Sequence, residues 1–283
     1  MKFGLISLDF RRVSLETCFR TAARCGFSAV EIWGGRPHAW PYDVDAAAAR
    51  QILSWKSRYG LELPMYTPNA IGLPVNLCSS MEEERREGLA YFKKGIEAAS
   101  RLEIPRMLLV ADHPGYETDP GDAEDWFVQA VADLADYAKP YGVTISVEPL
   151  TPLESPVVTT AEDCFRLMKR AGCENIDFVL DVVPPTVACE PISGYFRRLG
   201  LERIRHVHIC NTDGRTDAHL QLDSGVLSVP EILRTLRDAR YDGTVIAELY
   251  SVSARDPEGT AAKTARLLRE YGEDLPPRSF SLL

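Results

Sequence analysis

Eight short apolar runs, each followed by a longer amphipathic stretch, punctuate this chain from end to end. The runs are residues 3–8, 29–33, 61–66, 106–111, 144–148, 177–181, 204–209 and 245–249, and their length and composition predict strands. Between them, residues 15–25, 45–59, 82–102, 122–141, 161–171 and 230–239 place apolar side chains three and four apart, the spacing of helices with one buried face. Gly26, Gly60, Gly142, Gly172 and Gly243 fall just ahead of strands, where helix C-terminal caps are expected. Strands that alternate with helices must run parallel, because each helix carries the chain back to the same end of the sheet. A doubly wound open sheet satisfies the alternation but would be unusually wide at eight strands. The expected fold is α/β, a single (β/α)8 barrel over residues 1–283, with a tail from about residue 272.

Composition excludes several classes. The 283 residues are 45% hydrophobic, enough for a large core, and no linker or composition shift divides them. Acidic residues outnumber basic ones by 41 to 32, so a phosphate-tracking nucleic-acid surface is not expected. The seven cysteines are scattered and form no CxxC pair, which argues against a disulfide framework or a zinc knuckle. No apolar run reaches the roughly 20 residues of a membrane span, and MKFGLISLDF turns polar too soon for a signal peptide. The expectation is a cytoplasmic, reduced protein without membrane or nucleic-acid partners.

In a (β/α)8 barrel the chemistry lies at the C-terminal ends of the strands. Strand five ends at Glu148, strand six ends at Asp181, strand seven carries His206 and His208, and strand eight carries Glu248. Taken singly, an acid at a strand end is usually a cap or a solvated residue, and a histidine is usually a packed one. Four successive strands that deliver such groups to one arc are harder to explain without a cation, because crowded carboxylates repel one another. Oxygen-rich ligation with one imidazole suits Mn²⁺ or Co²⁺, with Mg²⁺, Ni²⁺ and Zn²⁺ also admissible. His208 lies nearer the strand end and is the expected ligand. His206, two residues lower on the same side, is expected behind it. A sugar bound through its carbonyl would have its neighbouring C–H acidified, with Glu148 and Glu248 on either side to remove and return a proton.

The stretches EIWGGRPHAW (31–40), VEPLTPLESPVV (147–158), EPISGYF (190–196) and RHVHICNTDGRTDAH (205–219) resemble the sugar-epimerase branch of the xylose-isomerase-like barrels, and within it the fructoselysine 3-epimerases. The resemblance spans essentially the whole chain. It implies a metal-dependent epimerase acting at C3 of a ketose, fructoselysine or psicoselysine, through an enediolate, and self-association into a homo-oligomer. It also implies Glu148, Asp181, His208 and Glu248 as metal ligands, Glu148 and Glu248 as the acid/base pair, and Glu154 as a substrate contact. Ketose 3-epimerases of the tagatose and psicose type carry a histidine three residues after the strand-six Asp and an arginine six after the metal histidine. Here those positions are Pro184 and Gly214, with Arg215 beside the latter. After His219 the usual Pro-Gly-x-Gly is replaced, and Leu222-Asp223-Ser224-Gly225 follows shortly.

Further substrate-binding candidates are His113 at the end of strand four, Trp33 and Tyr66 at the ends of strands two and three, His38, and Arg215. Each has a bland counterpart as a packed or backbone-bonded residue. Glu31 is a weaker recognition candidate, and Gly34-Gly35 reads as a tight turn. Other readings of the same arc are a broad ketose 3-epimerase, a sugar isomerase, an inosose dehydratase, a metal-dependent endonuclease, or a sugar-binding protein without turnover.

Overall fold

The computed structural model describes residues 1–276, so most of the expected tail, residues 277–283, lies outside the described residues. Eight parallel strands close into a barrel in chain order: β1 (Lys2–Ile6), β2 (Ala29–Gly34), β3 (Tyr66–Pro68), β4 (Arg106–Leu109), β5 (Thr144–Val147), β6 (Ile176–Asp181), β7 (Ile204–Ile209) and β8 (Thr244–Ala247). β1 closes the barrel on β8 in the register Phe3↔Val245 and Leu5↔Ala247. Both faces of the strands are covered, which is why they read as continuous apolar runs rather than as an alternation. Phe178, Ile145, Val147, Val207 and Ile209 are fully buried. Truncating one such side chain, Phe178→Ala, would cost about 3–5 kcal/mol.

The outer helices begin and end where local chemistry directs. Ser14 accepts a hydrogen bond from the Thr17 amide at the head of Leu15–Cys25. Thr160 and Asp163 form a reciprocal capping box at the head of Ala161–Ala171. Gly26, Gly60 and Gly172 end their helices, and Gly142 ends a short 3-10 turn, all in the left-handed conformation. Gly243 does not act as a cap. Its helix, Val229–Asp238, ends at Ala239, and the left-handed residue there is Arg240.

Several boundaries shift. β3 begins at Tyr66 rather than residue 61, because Pro64 has no N–H to donate and only Glu62 bridges back to Ala29. β1 stops at Ile6, and Ser7–Phe10 turn into a 3-10 helix. β4, β5 and β8 stop one or two residues short of the sequence expectation. Helices at Ile192–Leu199 and Pro257–Glu270 complete the ring around the barrel. The expected tight turn opens at Gly35, whose carbonyl accepts from the His38 amide at 2.8 Å, although neither Gly34 nor Gly35 is left-handed. A methyl group at Gly35 would lie 2.1 Å from the Trp33 ring, so glycine is needed there for close packing. Among the described residues, no helix is long and apolar enough to cross a membrane.

Candidate active site

The mouth of the barrel holds a cavity of about 290 Å³. Its floor is made where the strands end. The Glu148 amide still donates to the Leu109 carbonyl at 3.0 Å, so the residue keeps strand geometry, and Pro149, which has no N–H, stops the ladder. Across the barrel the Leu249 amide donates to both carboxylate oxygens of Asp9 at 3.1 Å. Asp9 thus fixes the strand end that carries Glu248. Burial, and then the nearby Glu248, push the Asp9 carboxyl up to about 8.

Glu148, Asp181, His208 and Glu248 converge there, with one potential ligand atom from each lying within 4.8 Å of all the others. His208 Nδ1 stands 2.7 Å from Glu148 Oε1 and 2.9 Å from Glu248 Oε2. Its other nitrogen, Nε2, lies 2.9 Å from Glu31 Oε2. A carboxylate behind an imidazole accepts the Nε2–H and leaves Nδ1 as a lone-pair donor toward the cavity. That donor would face two further acceptors. Neither Glu148 Oε1 nor His208 Nδ1, both buried, makes a hydrogen bond of sound geometry among the described residues.

Without a cation the cluster must be reconciled by protons. Burial, and then Glu248 and Asp181, push Glu148 up to about 8, against the pull of His208. Burial disfavours the His208 cation, yet Glu31, Glu248 and Glu148 outweigh it and hold that histidine well above its usual range. Three carboxylates, one imidazole and a pair of orphaned buried atoms suit a divalent cation, and these residues fit one.

Asp181 is fixed on both oxygens: the Val183 amide donates to Oδ1 at 2.8 Å, and His219 Nε2 lies 2.9 Å from Oδ2. His219 Nδ1 faces the Asp217 carbonyl at 3.1 Å, so both ring nitrogens meet acceptors and both donate. Burial opposes that charge, but Asp181 and then Glu248 raise His219 to about 10.

Glu31 is fully buried beneath the cluster. Its Oε2 accepts from His206 at 2.7 Å as well as from His208, and its Oε1 accepts from Thr67. Burial would raise its carboxyl, but His208 and His206 hold it well below the usual range. Glu31 therefore orients His208 instead of meeting a substrate. His206 is buried, kept neutral by burial, and bonded on its far side to Thr244 at 2.7 Å.

Of the remaining candidates, the structure brings Trp33 and Glu154 to the cavity. Glu154 Oε2 accepts from the Thr151 hydroxyl at 2.8 Å, and burial, then Asp217, push its carboxyl up to about 7. Four others do not line the cavity. Tyr66 is buried and donates its hydroxyl to the Ala39 carbonyl at 2.6 Å. His38 stacks edge-on against Trp33 at 5.9 Å and bonds the Val13 carbonyl, so it supports that wall from behind. His113 accepts from the Gly115 amide at 2.9 Å, which closes its own loop. Arg215 is exposed, its neighbour Gly214 being left-handed at φ 71°. The sequence reading missed Asp9, Arg11, Asp217 and Tyr250. All four lie in the short stretches that follow a strand, Asp9 in the 3-10 turn after β1 and Tyr250 at the head of a one-turn helix after β8, where no periodicity marks which way a side chain faces.

A closed (β/α)8 barrel with an acidic, cation-ready arc at its mouth defines a class, and the chain belongs to the xylose isomerase-like TIM barrel family, whose model matches residues 19–271. Most of its relatives that carry a functional name are epimerases or isomerases, and the chain is an enzyme of that isomerase kind. Fructoselysine 3-epimerase of Shigella flexneri is 33% identical over 257 residues, covering 91% of this chain and 93% of the relative. D-psicose 3-epimerase of Agrobacterium fabrum is 26% identical over 62% of this chain and 60% of its own length. A solved D-tagatose 3-epimerase-like protein superposes with a TM-score of 0.80 at 22% identity, covering 96% of this chain and 97% of its own, a likeness of fold.

Proposed function

We propose that this protein is a divalent-metal-dependent epimerase that inverts C3 of a ketose carrying an amine-linked appendage, interconverting fructoselysine and psicoselysine. The observation that carries the reading is the approach of Glu148 and Glu248 to one histidine nitrogen, at 2.7 and 2.9 Å, from the two ends of the arc. Glu148, Asp181, His208 and Glu248 would hold the cation, Mn²⁺ or Co²⁺ by donor type, and when bound it supplies polarisation of the sugar carbonyl and acidifies the C–H beside it. One glutamate removes the C3 proton to give the enediolate, and the other delivers a proton to the opposite face. The roles exchange in the reverse direction. His219 holds Asp181, Glu31 holds His208 and Asp9 holds the Glu248 strand end, so little reorganisation is left for the reaction itself. Trp33 and the apolar lining from β1 to β4 keep water from the reacting carbon.

Two observations favour the conjugate over a free ketose. The fructoselysine relative matches nearly the whole chain, whereas the psicose relative matches under two thirds. Five carboxylates also line the cavity, which attracts a substrate that carries a cationic amine. Metal-loaded protein incubated with fructoselysine, fructose, psicose or tagatose in D₂O, with exchange at C3 followed by NMR, tests both parts. The expected kcat/KM is at least about tenfold higher for the conjugate, or roughly 1.4 kcal/mol of discrimination. Equal efficiency would leave a broad ketose 3-epimerase, and no exchange on any ketose would overturn the chemistry.

A further inference from the structure

The cavity has one permanently charged cation among its described lining residues, Arg11, and nothing above accounts for it. Arg11 follows β1, on the side of the mouth opposite the Glu148 loop. It is half-buried, and its one side-chain hydrogen bond among the described residues is a long one, Nη1 to the Leu8 carbonyl at 3.3 Å. Among those residues it makes no ion pair, although many of the chain's arginines do, including Arg24, Arg36, Arg58, Arg106, Arg198 and Arg205. A guanidinium offers five donors in a planar fork, and here most of them are left for something else. The five carboxylates of the same cavity would satisfy it at once if they were within reach. Each instead has closer partners of its own or belongs to the cation cluster.

We infer that Arg11 is a carboxylate-recognition residue that reads the anionic end of the substrate, in the cavity whose apolar lining includes Leu8, Trp33 and Ile71. The inference rests on the proposed conjugate substrate and extends it. Fructoselysine joins its sugar through an amine to four methylenes, which end in an amino-acid head that carries a carboxylate. With the sugar over the Glu148–Glu248 arc, the methylenes run along that apolar lining, and the head reaches the side of the mouth where Arg11 stands. A guanidinium and a carboxylate then pair through two parallel N–H···O bonds, a geometry that lysine cannot reproduce. An unpaired arginine inside an acidic cavity is otherwise hard to explain, because it would weaken the pull on a cationic amine.

The test compares fructoselysine with the same conjugate of cadaverine, which keeps both amines and the methylenes but lacks the carboxylate. Metal-loaded wild-type protein should favour fructoselysine in kcat/KM by about tenfold or more, mainly through KM. Arg11→Gln should collapse that ratio to about one, and Arg11→Lys should retain part of it. A wild-type protein that treats the two conjugates alike overturns the inference without any variant, so misfolding of a variant cannot protect it. A ratio that survives in Arg11→Gln overturns it as well. Free fructose and fructose 6-phosphate complete the set. If wild type prefers neither conjugate to fructose, the conjugate reading has failed. In that event the carboxylate inference falls with it, and a preference for fructose 6-phosphate that Arg11→Gln removes would show that Arg11 reads a phosphate instead.

Discussion

His206 and His208 are two residues apart on β7, point to the same side of the barrel, and share the Glu31 carboxylate, yet their surroundings differ in kind. Around His206, in the barrel stem, the buried polar groups are matched. Glu31 accepts on one side, Thr244 bonds on the other, and close by Arg106 pairs with Asp177 at 2.8 Å while Ser146 donates to the same carboxylate. Around His208, at the mouth, acceptor faces acceptor. A buried polar group normally finds a partner, and a layer that leaves its groups unmatched while the layer beneath is satisfied marks where a ligand belongs. The stem spends its polar groups on holding shape, and the mouth keeps them for a cation and a substrate.

The largest effect should come from taking the cation away. Chelation is expected to abolish C3 exchange, and Mn²⁺ or Co²⁺ to restore it, because carboxylates alone cannot make that C–H acidic enough. Full turnover in chelated protein with no metal by elemental analysis would remove the distinction between the two layers. Next, Glu148→Gln and Glu248→Gln should each lower turnover by on the order of 10²–10⁴ while keeping the shape of the site. If either variant exchanges the C3 proton at the wild-type rate, that glutamate is not part of the proton-transfer pair.

A smaller effect separates the layers by readout. Glu31→Gln removes the acceptor behind His208 and should weaken metal binding by about 10–100-fold, measured by titration calorimetry. Asp177→Asn breaks the stem ion pair and should cost on the order of 3 kcal/mol of stability, with metal affinity unchanged. Loss of metal affinity in Asp177→Asn, or none in Glu31→Gln, would merge the layers. His206→Asn should likewise lose less metal than His208→Asn.

What was legible in the chain follows the same division. β7 and the helices Leu15–Cys25 and Ala161–Ala171 fall on the expected residues, because a short run buried on both faces, or a helix with one buried face and a capping residue, leaves a direct trace in sequence. The four groups of the arc were legible as strand ends, since position along a strand is a one-dimensional property. Glu31 was harder to place. Its role depends on the barrel closing so that β2 faces β7 across the interior, and no local pattern records that. His219 and Arg11 depend on loop paths in the same way. Tyr66, expected to end its strand as Glu148 does, instead begins β3 and does not join the sugar wall. The chain there follows Pro64 into a short strand and turns the ring into the core, where its hydroxyl meets the Ala39 carbonyl.

The smallest predicted effect is a slope in stability with pH, and it sharpens the contrast because groups at the mouth, rather than in the stem, should set its sign. In chelated protein, Glu148 and Asp9 are both raised to about 8, from ordinary carboxyl values of 4.5 and 3.8. A carboxyl raised in the folded state holds its proton there while the unfolded chain has lost it. The folded state then binds more protons, and stability falls as pH rises from the ordinary value toward the raised one. His219, raised from 6.5 to about 10, acts in the same direction: its contribution is full below 6.5 and is lost as pH climbs toward 10. Glu31 and Asp181 are lowered, so their contribution is already complete above pH 5 and adds no slope. His206, also lowered, opposes the trend only up to about its ordinary value. Chelated protein should therefore lose Tm steadily from pH 5 to pH 8, by about 2–4 °C for each kcal/mol lost. A bound cation takes the place of the Glu148 proton and offsets the negative charge that raises its neighbours, so metal-loaded protein should show a flatter profile over the same range. Parallel profiles with and without metal would mean that the mouth cluster does not exchange protons for a cation, and would make the two layers electrostatically alike.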